Sequence, residues 1–190
     1  MKSLKAALFL LVALPVFSAV TINVTESGSD VLMNHNGTLN ITGLSLAYED
    51  QPALSWNVYP QSGALQAGSS VIRDLYSGLS SAGGSFGSGS NIAATSSSGT
   101  HVYVSASYIS LPINFVSGSS ISGSNTFSGA SFSSLGITAG TYVWTLPNDT
   151  IAVNFTASAV PEPSTYAMIA GLTMLGFVAW RRRGGASRQS

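Results

Sequence analysis

The sequence predicts an all-β domain, antiparallel and sandwich-like, carried between two hydrophobic ends of the chain. Three observations predict it. Short stretches alternate apolar and polar residues with a period of two, the spacing that sends successive side chains to opposite faces of a pleated strand. Clusters of Gly, Ser, Asn and Pro separate these stretches and supply turns. Between the two ends no long helical period interrupts the series, and many short strands without helices pack as a β-sandwich or a related antiparallel architecture. The bracketed region, residues 19–159, is about 140 residues, enough for one core and too few for two.

The first element, residues 1–18, reads as a secretory signal peptide. Lys2 and Lys5 form a basic n-region and residues 6–17 an apolar h-region of the expected length. Val16 and Ser18 place small residues at −3 and −1 for cleavage between Ser18 and Ala19, whereas cleavage after Ala19 would put Phe17 at −3. The alternative is an uncleaved anchor, and in both cases the β-domain is exported.

Val20-Thr-Ile22-Asn-Val24-Thr opens the domain; Leu39-Asn-Ile41-Thr, Leu44-Ser-Leu46 and Trp56-Asn-Val58-Tyr continue it. Residues 70–79 admit a helix with Val71, Ile72, Leu75 and Leu79 on one face, but a short one, and the all-β reading stands. Residues 77–99 are dominated by Ser, Gly and Ala and read as a flexible loop or a long edge connection. His101-Val-Tyr103-Val-Ser105 and Ile109-Ser-Leu111-Pro-Ile113-Asn-Phe115 resume the alternation. Residues 117–134 carry Ile121, Phe127 and Phe132 and read as strand and turn. Thr141-Tyr-Val143-Trp-Thr145 and Ile151-Ala-Val153-Asn-Phe155 close the domain, with Tyr142 and Trp144 on one face, packing inward rather than forming a sugar-stacking platform.

Charge is segregated, so the formal net charge of zero is uninformative. Lys2, Lys5, Arg181, Arg182, Arg183 and Arg188 belong to the ends, which leaves Arg73 as the one cation of the middle. Against it stand Glu26, Asp30, Glu49, Asp50, Asp74 and Asp149, a net charge of −5. A lysine-free acidic domain excludes nucleic acid as a partner, because phosphate backbones demand clustered Lys and Arg. With no cysteine in the chain there is no disulfide framework, thiol nucleophile or Cys metal site.

The remaining chemistry is thin. Gly83-Gly-Ser85-Phe-Gly87 matches the Gly-x-Ser-x-Gly elbow by letter. That motif works only between a strand and a helix, and a Ser/Gly tract produces the match by chance. His35 sits between Asn34 and Asn36 as if in a surface turn, and His101 begins a strand; a Ser-His-Asp arrangement through His101 would have to assemble in space. Glu49-Asp50 and Asn148-Asp149 are compact acidic turns, without the spacing of a calcium loop. No cofactor, metal site or catalytic residue is assigned.

The C-terminal element is the most informative. Val160-Pro161-Glu162-Pro163-Ser164 precedes an uncharged run from Tyr166 to Trp180, then Arg181-Arg182-Arg183. With Ser164 and Thr165 the run is about 17 residues, near the lower limit for a membrane-spanning helix. This predicts a helix over about 164–180 and a basic tail over 181–190. Three arginines favour the cytoplasmic side, and Tyr166 and Trp180 at the ends suit the headgroup level. In this order the parts resemble the PEP-CTERM sorting domain of exported bacterial proteins over roughly the last 30 residues, with 184–190 trailing past the arginine cluster. The resemblance implies a substrate of an exosortase-type processing enzyme, in which Pro161, Glu162 and Pro163 are recognition residues and the helix is removed. Residues 127–145 are similar to a module that often precedes such a tail, which implies a β-sandwich of unassigned activity.

The expectation is a non-enzymatic structural or adhesive domain. It would pass the secretion translocon, sit on the inner membrane by a single pass with its C-terminus cytoplasmic, and then reach the cell surface or extracellular matrix, where polysaccharide is a candidate partner. The competing readings are a secreted hydrolase and a glycan-binding module.

Overall fold

In the computed structural model the described residues are 19–81, 84–157 and 163–185. The chain divides into two compact units at the boundary between residues 157 and 158. The signal peptide at 1–18, including Ser18, lies outside the described residues, as do Pro161 and Glu162 and the tail from 186 onward.

The first unit is built of two sheets. The larger has seven strands in the order β7 (Ser80–Ser81), β12 (Gly140–Leu146), β13 (Asp149–Thr156), β1 (Ala19–Ser27), β2 (Asp30–Leu39), β11 (Ser119–Phe127), β8 (Ser96–Gly99). The smaller has six, in the order β3 (Ser45–Gln51), β6 (Arg73–Ser77), β10 (Tyr108–Pro112), β9 (Val102–Val104), β5 (Ala64–Ala67), β4 (Val58–Tyr59). Both contribute to one core. Val20, Ile22 and Val24 of β1 share it with Ile151 and Val153 of β13 and with Leu65, Val102, Val104, Ile109 and Leu111 of the smaller sheet. Alternation explains the division. In β1 the valines and isoleucine point inward while Thr21, Asn23 and Thr25 stay on the outer face.

One pairing departs from the antiparallel expectation. β1 runs parallel to β13, in register from Ala19↔Thr150 to Thr25↔Thr156, while pairing antiparallel with β2 on its other side. On the outer face this register aligns amides: Asn154 donates through Nδ2 to Asn23 Oδ1 at 3.0 Å, and Thr141 donates through Oγ1 to Asn154 Oδ1 at 3.0 Å.

Residues 70–79 are strand at their centre (β6), not helix. Contacts on both sides of the chain decide this: Tyr76 packs against the core from one face, while Arg73 is buried on the other. β2 extends back to Asp30, well before the stretch beginning at Leu39 that the sequence marks, and Asn40 onward is turn. The segment at 127–145 contains a one-turn helix, α1 (Phe132–Leu135), closed by a Ser131–Ser134 capping box and by Gly136 at φ 62°.

The Ser/Gly tract is the largest correction. It is not a loose loop: it contains β7 and β8, bridges Ile137 through Gly87, and inserts Phe86, fully buried, into the core. Phe86 meets Tyr142 edge-on with centroids 4.7 Å apart, and Phe155 at 5.0 Å. The glycines make this possible. A Cβ on Gly87 would collide with the Gly136 carbonyl, and its φ of 150° is open only to glycine.

The second unit contains α2 (Pro163–Gly185), which starts on the last proline of the sequence motif and runs through the arginines. Proline suits a helix start because the first turn needs no N–H partner.

Phe86→Ala is expected to destabilise the domain by about 3–5 kcal/mol, the range for deleting a buried aromatic. Ser90→Ala, an exposed change in the same tract, should stay within about 0.5 kcal/mol. Urea unfolding of the two variants checks this, and equal, small effects would return the tract to a surface loop.

Candidate functional site

Three places carry polar or aromatic side chains that the fold alone does not require: the Ser85 loop, the outer face of the smaller sheet, and the C-terminal helix.

The Ser85 loop does not form a nucleophile elbow. Ser85 is exposed, and its Oγ turns back to accept from Gly87 N–H at 2.9 Å. The residues directly after it are not helical. The neighbouring small cleft, about 20 Å³, lies between Gly63, Phe86, Tyr142 and Trp144. None of its described lining residues is a carboxylate, a histidine or a cation, so it offers no acid–base pair.

The smaller sheet has an unusual outer face. Val102 and Val104 of β9 face the core, so His101 and Tyr103 face away from it; by the same alternation Ser110 does so between Ile109 and Leu111. Gln66 pairs with Tyr103, and Ser110 with both Tyr103 and Leu75, which places Arg73 of β6 on the same face. Here the structure joins a histidine to a serine. His101 Nε2 lies 3.0 Å from Ser110 Oγ, and Nδ1 lies 3.2 Å from the Ser69 carbonyl. Arg73 donates from Nη1 to Ser110 Oγ at 3.1 Å and from Nε to the Pro52 carbonyl at 3.1 Å. These contacts fix the protons. Nδ1–H donates to Ser69, Nε2 accepts from the Ser110 hydroxyl, and that oxygen accepts from Arg73. The His101 pKa is lowered to about 4, chiefly by burial and further by Arg73 and His35, with the Ser69 contact opposing them. A catalytic serine needs a carboxylate on the far ring nitrogen and access to substrate. This one has a backbone carbonyl there and is fully buried. The pair is a structural network.

His35 is also interior, against the expectation of a surface turn. It lies mid-strand on the inner face of β2, its Nε2 donating to the Thr100 carbonyl at 2.9 Å. Nδ1 is buried without a partner, and burial lowers its pKa. The acidic residues also serve the backbone. Asp149 accepts from Asn40 N at 2.7 Å and Thr150 N at 2.7 Å, and Glu26 accepts from Phe132 N at 2.6 Å. Asp50 adopts φ 51° within the irregular pairing of β3, with its amide on Asp74 Oδ1. Among the described residues no three His, Cys, Asp or Glu side chains gather as a metal site would require.

Around the buried network stand rings. Tyr59 and Tyr103 meet edge-on at 6.1 Å, Tyr48 and Tyr108 at 6.2 Å, and Arg73 lies over the Tyr103 ring at 5.6 Å. Trp56 borders the Tyr59 end and is 44% exposed. The sequence signal was present in the alternation of His101, Tyr103 and Ser105, but nothing local shows which face is covered.

α2 has no amphipathic stripe. Met168, Ile169, Leu172, Met174, Leu175 and Phe177 are all well exposed, on every side of the helix. A single helix with apolar residues all round is unfavourable in water and calls for an apolar surrounding. Arg181 is exposed at the end of the apolar run. Even so, no helix of the described residues is long and apolar enough to cross a membrane. At 1.5 Å per residue the run from Tyr166 to Trp180 reaches only about 22 Å, short of the roughly 30 Å hydrocarbon core.

This helix overlaps a match to a known family model, the PEP-CTERM protein-sorting motif, over residues 159–183. The chain carries a PEP-CTERM sorting motif. Such a motif implies an exported, membrane-transiting protein and is consistent with processing by an exosortase-type enzyme. The match lies within the second unit and does not reach the first, and no curated protein and no solved structure matches the chain.

The network predicts acid sensitivity. His101 is neutral when folded, while the unfolded chain takes up its proton near pH 6.5. Its stabilising contribution is therefore complete above about pH 6.5 and is lost as pH falls toward 4. Stability should be about 2 kcal/mol lower at pH 5 than at pH 7, and His101→Gln should remove most of that slope. Denaturant titrations at the two pH values measure it; an unchanged slope in the variant would refute the assignment.

Proposed function

We propose that the protein is a non-enzymatic component of the cell envelope or extracellular matrix, structural or adhesive, delivered by its tail. What supports this is the sorting motif on a separate unit, joined to a β-domain whose Ser110–His101 pair is buried. In this reading a signal peptide at 1–18, cleaved between Ser18 and Ala19, takes the chain to the translocon. α2 then holds it transiently in the inner membrane by a single pass, with the arginines on the cytoplasmic side. A helix too short for the bilayer is accommodated by local thinning and by Arg side chains reaching for the interface, each at a modest cost. A short anchor suits a segment that is to be removed. The processing enzyme reads Pro161, Glu162 and Pro163, and the β-domain departs to the surface or matrix, where extracellular polysaccharide is its partner. Its surface of Ser, Thr and Asn with few charges suits hydroxyl and amide hydrogen bonds to hydrated glycans.

Intact mass of the mature protein from its native host, with and without the processing enzyme, tests the reading. A mass ending near Pro163 that depends on the enzyme is expected. A mass retaining Arg181 through Ser190 in both strains would overturn it.

A further inference from the structure

Arg73 is the sole cation of the β-domain, and it is held where a cation is costly. Its side chain is 8% exposed, yet no carboxylate is among the groups that act on it. Its partners are neutral: the Pro52 carbonyl, the Ser110 hydroxyl and the Tyr103 ring. Nη2 makes no hydrogen bond to the described residues, and it is not one of their sealed-off, unpartnered atoms. Asp74, the next residue, alternates to the opposite face and takes the Asp50 amide. A nearly buried charge without a counter-charge is destabilising unless something supplies one. The fold has positioned the guanidinium over a ring and left Nη2 without a hydrogen bond among the described residues.

The surroundings of Arg73 narrow the ligand. Tyr103 and Tyr59 lie against it, and Tyr48, 54% exposed, meets Tyr108 farther along the same face. Rings with an apolar body and a polar tip suit partners that are apolar on one face and hydroxylated at the edge. A guanidinium binds a carboxylate in a fork, by two parallel bonds. The net charge of −5 repels a densely charged polymer.

We propose that this face of the smaller sheet binds a sparsely acidic glycan, with one uronate carboxylate on the free N–H groups of Arg73 and neighbouring neutral sugars against the tyrosines. The proposal rests on the envelope or matrix reading and deepens it. The mass measurement reports the tail and a binding measurement reports the sheet face, so the two fail separately.

The test titrates the full chain, in detergent micelles, with a trisaccharide carrying one central glucuronate between neutral hexoses. The comparison is the same trisaccharide with its carboxyl reduced to the alcohol. Intrinsic fluorescence reports binding, and thermal midpoints report folding. The acidic form should bind about tenfold more tightly than the reduced form, and added salt should narrow the gap. Arg73→Gln should abolish the preference; Tyr48→Ala, an exposed ring, should weaken both sugars alike without shifting the midpoint. Should Arg73→Gln fail to fold, the wild-type preference and the Tyr48→Ala result decide. Equal binding of the two forms, or no binding of either at millimolar concentration, would overturn the proposal. So would a concentration-dependent dimer that Arg73→Gln abolishes, which would give the face to a second copy of the chain.

Discussion

The β-domain depends on one seam, the parallel pairing of its first strand with its last. Ala19 and Thr150 are roughly 130 residues apart in sequence and adjacent in space. A parallel pair cannot be joined by a tight turn, so the whole domain serves as the connection between β1 and β13. Because the strands are parallel, the chain enters the sheet at the Ala19 end and leaves it at the Thr156 end. Asp149 stands at the entry end, where both carboxylate oxygens take backbone N–H groups, from Asn40 and Thr150. Nearly every other interaction in the larger sheet hangs on this seam, since β1 and β13 are its central strands and supply Val20, Ile22, Val24, Ile151, Val153 and Phe155 to the core. Contacts this distant in sequence are slow to form, because the entropy of closing the chain comes due before they reward it. The core therefore closes only once β13, late in the chain, is available to pair. That order suits a protein whose sorting signal lies beyond β13.

The second dependence is the Ser/Gly tract. A seven-stranded and a six-stranded sheet leave an opening at the end occupied by Tyr142 and Trp144, and Phe86 fills it. Such a plug must approach backbone on several sides, and side chains would prevent it. Gly63 meets the Gly84 carbonyl and Gly87 meets Gly136, each with no room for a Cβ. The composition that reads as flexibility is thus a packing requirement. Period-two patterns are averages over several residues, and a single buried Phe between glycines carries no period. That is why the tract looks empty in sequence.

Elsewhere the sequence spoke more clearly. β1, β9, β10, β12 and β13 fall where alternation of Val, Ile and aromatics places them, and the tail was readable because three features coincide in order. The losses share a cause. β5, Ala64-Leu-Gln-Ala, is buried on both faces and has no alternation to detect. β2 alternates through Val31, Met33 and His35, but the intervening asparagines at 34 and 36 imitate a turn. Arg73 and Ser110 are buried polar residues whose partners, the Pro52 carbonyl and His101 among them, come from other segments, so their burial is decided by residues outside their own strands. Local patterns report which residues share a face; they are silent on what covers it. The parallel seam was hidden for the same reason, since nothing in either strand names its partner.

The two outer faces show how this matters for function. That of the larger sheet carries Asn23, Asn154 and Thr141, which bond to one another and so spend their capacity within the sheet. That of the smaller sheet does the reverse. Its deep groups, His101 and Ser110, are satisfied and serve to fix Arg73, while Arg73 and the rings above them retain unspent capacity. A satisfied polar network rigidifies what it touches. On the proposed reading, a guanidinium held by Pro52, Ser110 and the Tyr103 ring before any ligand arrives leaves less ordering entropy to oppose binding. The burial that silences His101 as a base is the same burial that makes the Arg73 charge matter, because the low dielectric that disfavours an extra proton on the ring strengthens any ion pair formed nearby. On the proposed reading the chemistry of this face is recognition, and the burial that would strengthen it is the same burial that keeps Ser110 and His101 from solvent.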